Sequence, residues 1–186
     1  MNFYDIVFVL LTVLWVGEFI FKRGKEITSE SSIEKQSFLL ILFMIISSIA
    51  TTIAFSELQL FLFDKNGVTN FMGLLLYGGG IALRYWGIQE LGHFFSRNVI
   101  VESKLDLVSS GPYRILRHPL YTGLLLSTIG IPIYIGVWGG VIVAVLFITP
   151  ALLIRIRVEE KMLYQSVGES YLEWGKERYR LVPFIY

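Results

Sequence analysis

The chain reads as an all-α polytopic membrane protein with five transmembrane helices, and three observations predict it. Hydrophobic residues make up 54% of the sequence and charged residues only 17%. Its mean hydropathy is +0.63. Its apolar runs recur at lengths close to the ~20 residues that a helix needs to cross a bilayer. Such a composition fits lipid as the main solvent. A formal net charge of +1, with no one-sided basic field, argues against a nucleic-acid partner. With no cysteine and only His93 and His118, disulfides, thiolate nucleophiles and cysteine-based zinc sites are excluded, and no metal is expected.

The first run extends from Phe3 to Phe21, with Asp5 and Glu18 near its ends, and Lys22, Arg23 and Lys25 stop it. It lacks the positive start and small-residue cleavage site of a secretory signal, so it is expected to stay as a first transmembrane helix. The second run, Gln36 to Phe55, contains serines and threonines but no charge. Residues 56–70 carry Glu57, Asp64, Lys65, Asn66 and Gly67 and turn the chain back, and Leu60 to Phe63 suit the membrane interface. The third run, Phe71 to Ile88, holds Gly78, Gly79 and Gly80. Glycines there weaken a helix but let a neighbouring backbone or a ligand come close.

Arg84 lies in that third run. An intramembrane arginine is a functional candidate with a partner to be found; the alternative is snorkelling towards the helix end. The stretch after Gly92, HFFSRNVIVESKLDLVSS, is too polar to span and is expected at the surface or over the next motif, with His93 structural or interfacial. The fourth run, Leu120 to Ile135, is interrupted by Gly130 and Pro132, and Gly136 to Gly140 make a tight connection. The fifth, Val141 to Ile156, is kinked at Pro150 and continues out of the membrane through IRIRVEEKMLYQSV as far as Gly168. The tail, ESYLEWGKERYRLVPFIY, is an amphipathic, aromatic cap for the membrane face.

Basic residues orient this topology. Four precede the second span, four lie between spans three and four, and six run from Arg155 onward, which leaves Lys65 opposite and Arg84 in the membrane. The positive-inside rule then places the N-terminus outside and the C-terminus in the cytoplasm. The stretch GPYRILRHPLYTG, Gly111 to Gly123, therefore meets Arg157, Glu159 and Glu160 on the cytoplasmic side.

Arginine forks suit carboxylate or phosphate, glutamate holds an ammonium or a ribose hydroxyl, and tyrosine or histidine rings stack on a base. The set suits a zwitterionic nucleoside such as S-adenosylmethionine, and the residue types alone do not choose it over NADPH. The plainer reading is a stiff loop between Pro112 and Pro119 whose basic side chains touch lipid headgroups.

Two motifs in order, G-P-Y-R-x-x-R-H-P-x-Y-x-G and then E-E-x-x-L-x-x-x-x-G-x-x-Y from Glu159 to Tyr171, with Arg180, Leu181 and Pro183 closing the chain, resemble the isoprenylcysteine carboxyl methyltransferase family of integral membrane enzymes. The resemblance runs from about Leu83 to the end, with LRYWGIQELG similar to the family's third span. It implies a single domain over 1–186, with two N-terminal spans in 1–70 and a catalytic core in 71–186. It also implies S-adenosylmethionine bound at the cytoplasmic face under the tail. Carried over by residue, Gly111, Tyr113, Arg117, His118, Pro119, Tyr121, Glu159 and Glu160 would bind the cofactor. Arg84 or Arg157 would orient the acceptor, with Glu160 beside them in the catalytic set.

The implied acceptor is lipophilic, either a prenylated cysteine or a small lipid-like acid or phenol, reached among membrane lipids, with Gly78 to Gly80 a candidate sideways entry between helices. The implied location is the cell membrane in a prokaryote and the endoplasmic reticulum in a eukaryote. A carboxylate acceptor needs no strong base, being ionised at neutral pH; a phenol or enol would use His118 or one of the glutamates. Two rivals stand beside this reading. One is an NADPH-dependent reductase of the sterol-reductase type, which shares an arginine-histidine-proline turn but usually has asparagine where this chain has Leu120. The other is a non-enzymatic membrane protein that binds lipid or a partner through its basic face.

Overall fold

A computed structural model describes residues 2–21, 32–92 and 107–184. Its elements are α1 (Phe3–Phe21), α2 (Ser32–Glu57), α3 (Gly67–Leu91), a short 3-10 helix (Gly111–Arg114), α4 (Pro119–Ile135), α5 (Trp138–Val167) and α6 (Glu169–Lys176). Each of the five predicted apolar runs lies on one helix, and the described residues form no strand. Two helices, Lys35–Glu57 and Trp138–Val167, are long and apolar enough to cross a membrane. The basic residues Lys22, Arg23, Lys25, Arg97 and Lys104, and His93, lie outside the described residues.

Local sequence sets the helix ends. Asn66 caps α3 by accepting from Val68 and Thr69 N–H, and Thr69 returns the bond to Asn66 N–H, a reciprocal cap that satisfies otherwise orphaned donors. Pro119 starts α4, where a missing N–H costs nothing. Gly136 ends it in the left-handed conformation at φ 93°.

The centre of the bundle is the seam between α3 and α4. A Cβ on Gly73 would meet Tyr134 N at 2.5 Å, one on Gly80 would meet Ser127 N at 2.7 Å, and one on Gly130 would meet Tyr77 N at 2.5 Å. Gly73 and Gly80 lie seven residues apart, as do Gly123 and Gly130, so small residues recur on one face of each helix and the backbones touch. Of the three consecutive glycines, Gly80 is closed by α4, Gly78 faces Leu11, and Gly79 has open space around it.

Around this seam α1 packs on α3, while α2 packs on α5 and α4. The buried apolar cluster joins Trp15 of α1, Ile41 and Ile45 of α2, Tyr77 and Ile81 of α3, Leu124 of α4, and Ile148, Leu152 and Ile156 of α5. Large apolar side chains such as Leu14, Phe43, Leu75, Leu146 and Phe147 face outward, which suits a hydrocarbon surrounding.

Contacts at the helix ends define two poles. At one, Tyr134 donates to Asp5 at 2.6 Å, Lys65 lies over the Tyr134 ring, and Phe63 N–H bonds Gly136 carbonyl. At the other pole Glu18, Ser37, Arg84, His118, Arg155 and the tail come together.

Candidate active site

The second pole is built on the turn between the 3-10 helix and α4. Gly111 opens it at φ 54°, and a Cβ there would strike Glu90 Cγ at 2.5 Å, so the position needs glycine twice over. Glu90 accepts from the Ser110 hydroxyl and from Trp86 Nε1, which fixes the turn to the end of α3. Pro112 and Tyr113 are buried, and Arg114 is exposed. Tail and turn then pair by backbone: Arg117 N–H bonds Tyr179 carbonyl at 2.7 Å and Tyr179 N–H bonds Ile115 carbonyl at 2.9 Å.

Arg117 holds the tail with its side chain as well. Its guanidinium donates to Gly175 carbonyl at 2.6 and 3.1 Å, to Arg178 carbonyl at 3.0 Å and to Glu160 at 3.2 Å. Arg178 adds a bond to Tyr113 carbonyl at 2.8 Å and stacks on Trp174. Thr122 of α4 donates to Leu181 carbonyl at 2.5 Å. The C-terminal segment thereby lies over the turn.

Beneath this segment the two sequence motifs meet. His118, 4% exposed, places Nε2 3.4 Å from Glu160 and Nδ1 3.8 Å from Glu159, and its ring stacks with Tyr121. Tyr121 donates to Glu159 at 2.6 Å, and Arg155 Nε donates to the Tyr121 hydroxyl at 3.2 Å. Arg180 approaches Glu160 at 3.2 Å from the tail. Pro119 is fully buried at the start of α4. The predicted residues Arg117, His118, Tyr121, Glu159 and Glu160 thus form one connected cluster, with Pro119 and Tyr113 packed at its base.

α5 is 30 residues long, about 45 Å at 1.5 Å per residue, against a hydrocarbon core of about 30 Å. Its glutamates therefore lie beyond the apolar stretch that ends at Ile156. Burial by itself pushes the Glu160 carboxyl up, but the His118 hydrogen bond and charge, with Arg180 and Arg117, outweigh it and hold Glu160 at about 2. Burial, and then the two glutamates, push the Tyr171 phenol well above its ordinary range. It stays a hydrogen-bond donor. Its hydroxyl is buried beside Glu160 with no well-formed partner among the described residues.

Of the two arginines expected to orient an acceptor, Arg84 is buried in an ion pair with Glu18 of α1, Nε to Oε2 at 2.9 Å. Arg157 is exposed on the outer face of α5. A further arginine, Arg155, 3% exposed, joins the cluster through Tyr121 and also donates to Ser37 of α2 at 3.0 Å. Sequence reasoning gave no site role to Arg155, Glu18 or Ser37, and named Tyr171 only as the last residue of the second motif. An available signal was the i, i+4 spacing of Arg155 and Glu159, which places them on one helix face.

Residues 72–165, half of the chain, match the isoprenylcysteine carboxyl methyltransferase family. The chain belongs to that family. The match takes in α3, the basic turn, α4 and the paired glutamates, and leaves out α1, α2, α6 and the tail.

Among related sequences, a probable protein-S-isoprenylcysteine O-methyltransferase of Oryza sativa subsp. indica is 26% identical over 168 residues, 89% of this chain and 85% of that protein. The protein-S-isoprenylcysteine O-methyltransferase of Saccharomyces cerevisiae is 27% identical over 146 residues, 77% of this chain and 61% of the yeast protein. The uncharacterised YpbQ of Bacillus subtilis is 30% identical over 83 residues, 45% of this chain, and the match spans about half (49%) of YpbQ. Family membership agrees with the resemblance carried by the two motifs.

Proposed function

We propose that this chain is a membrane methyltransferase that moves a methyl group from S-adenosylmethionine to an oxygen of a lipophilic acceptor, a carboxylate such as that of an isoprenylcysteine. The observation that carries this reading is the closed cluster in which Glu159 and Glu160 meet His118, Arg117 and Tyr121 under the tail. Such a cluster fits the donor's mixed charges: carboxylates for an ammonium or ribose hydroxyls, the stacked His118–Tyr121 rings for a base, and Arg117 or Arg180 for a carboxylate. The Tyr171 hydroxyl is a further buried donor beside Glu160.

The chemistry that the cofactor supplies when bound is a methyl group made electrophilic by its sulfonium. The chain contributes position and exclusion of water. Glu160, held at about 2, has too little proton affinity at neutral pH to serve as a base, so its role is that of a fixed anion. A carboxylate acceptor matches that arrangement, since it arrives ionised and needs alignment in a site closed to water.

The family match and the paired glutamates favour this reading over an NADPH-dependent reductase and over a protein that only attracts headgroups. Incubating membranes that contain the full chain with methyl-labelled donor tests it. Label in a lipid-extractable product is expected, and is lost as methanol on mild base if the product is a carboxyl ester. Transfer no greater than in membranes without the chain would refute the proposal.

The same reading gives five crossings, with the N-terminus outside and the site facing the cytoplasm, in the cell membrane of a prokaryote or the endoplasmic reticulum of a eukaryote. Reporter fusions after Lys65 and at the C-terminus should report opposite sides. The same side for both would exclude this topology.

A further inference from the structure

α1 lies outside the part of the chain that matches the family, yet it reaches the site through one side chain. Glu18 is 3% exposed and Arg84 9%. The two meet by a two-pronged contact, Arg84 Nε to Glu18 Oε2 at 2.9 Å and Nη2 to Oε1. A buried ion pair is weak evidence for stability, because desolvating two charges offsets most of their attraction. Apolar residues of similar size at positions 18 and 84 would join α1 to α3 as firmly. The reason for the pair is better sought in what else Arg84 holds.

The remaining arm, Nη1, donates to Leu120 carbonyl at 3.1 Å. That carbonyl belongs to the first turn of α4, between His118 and Tyr121. The arginine stem lies against the same turn, so closely that a Cβ on Gly123 would come within 2.7 Å of Arg84 Cγ. Arg84 is therefore a strut with one end on Glu18 and the other on the backbone that carries the stacked His118 and Tyr121 rings.

We propose that Glu18 is a positioning residue for the cofactor-binding turn, acting through Arg84, so that α1 is part of the catalytic unit. On this view Arg84 also acts by positioning. The inference rests on the methyltransferase reading above.

Full-length chain purified in detergent tests it by calorimetric titration with S-adenosylhomocysteine, thermal unfolding, and kcat and KM. Glu18→Gln keeps the size and removes the charge. It is expected to weaken nucleoside binding by about tenfold in the folded protein, the worth of one charge-assisted contact. Arg84→Lys keeps a cation for Glu18 but has no rigid fork to hold Leu120 carbonyl at the same time. Its thermal midpoint should stay near wild type while kcat falls at least about tenfold, since one point charge replaces a three-way clamp.

Glu18→Gln that melts early yet binds with wild-type affinity would show a merely structural pair and overturn the inference. So would Arg84→Lys with wild-type kcat, and that variant carries the test if Glu18→Gln does not fold. Wild-type protein that fails to bind the nucleoside would instead refute the methyltransferase reading, and this result is seen before any variant is made.

Discussion

Glu160→Ala is expected to abolish S-adenosylmethionine binding and to release the tail in the same step. Glu160 is an anion shared by Arg117, His118 and Arg180. Its removal leaves three basic groups facing one another under the tail that two of them help to hold. Hydrogen bonds to charged groups are worth about 1.5–3 kcal/mol each, so loss of two such bonds corresponds to at least about a hundredfold in affinity. Calorimetry with S-adenosylhomocysteine measures the first effect, and the rate of limited proteolysis after Gly168 measures the second. Binding as tight as wild type would remove Glu160 from the pocket.

The pH dependence has a definite sign. The folded value of Glu160, about 2, lies below its ordinary 4.5, so its contribution to stability is fully present above about pH 4.5 and is lost as pH falls towards 2. Nucleoside affinity should therefore show no inflection from this group between about pH 5 and 9. Glu160→Gln should be weak at every pH in that range, where a carboxylate raised towards neutrality to act as a base would give a titration.

What could be read from the sequence, and what could not, divides along a physical line. Helix positions were legible because length and hydropathy decide whether a segment suits a bilayer, and α1 begins and ends where its apolar run does. The two halves of the candidate site were legible as motifs because dense polar stretches stand out beside apolar helices. Glu18 was not, since a carboxylate near a helix end looks like a boundary charge, and its partner Arg84 is 66 residues away. The tail's hold on Arg117 was equally hidden, because most of it runs through the carbonyls of Gly175 and Arg178, and a carbonyl acceptor leaves no trace in residue identity.

The same limit explains Arg157, and it leads to the second large effect. In water the apolar face of a helix is the buried one, but in lipid both faces are apolar and the pattern loses its meaning. On α5 the stripe Ala144, Ile148, Leu152 and Arg155 is buried, while Phe147, Ile154 and Arg157 are exposed. Hydropathy cannot tell these two stripes apart, whereas the contacts of Arg155 can. It ties Ser37 of α2 to Tyr121 of α4, and through Tyr121 to Glu159. Arg155→Met should therefore take the guanidinium donor from half-buried Tyr121, and through it from Glu159. Breaking a buried charge network by removing one member costs about 3–5 kcal/mol, so methyl transfer should fall by at least about a hundredfold and the thermal midpoint should drop with it. Arg157→Ala touches only the outer face and should stay within about 0.5 kcal/mol of wild type. Transfer and melting measured on both variants decide between the two arginines: an inert Arg155→Met beside an inactive Arg157→Ala would return the acceptor-orienting role to Arg157 and place the working face of α5 on the opposite side.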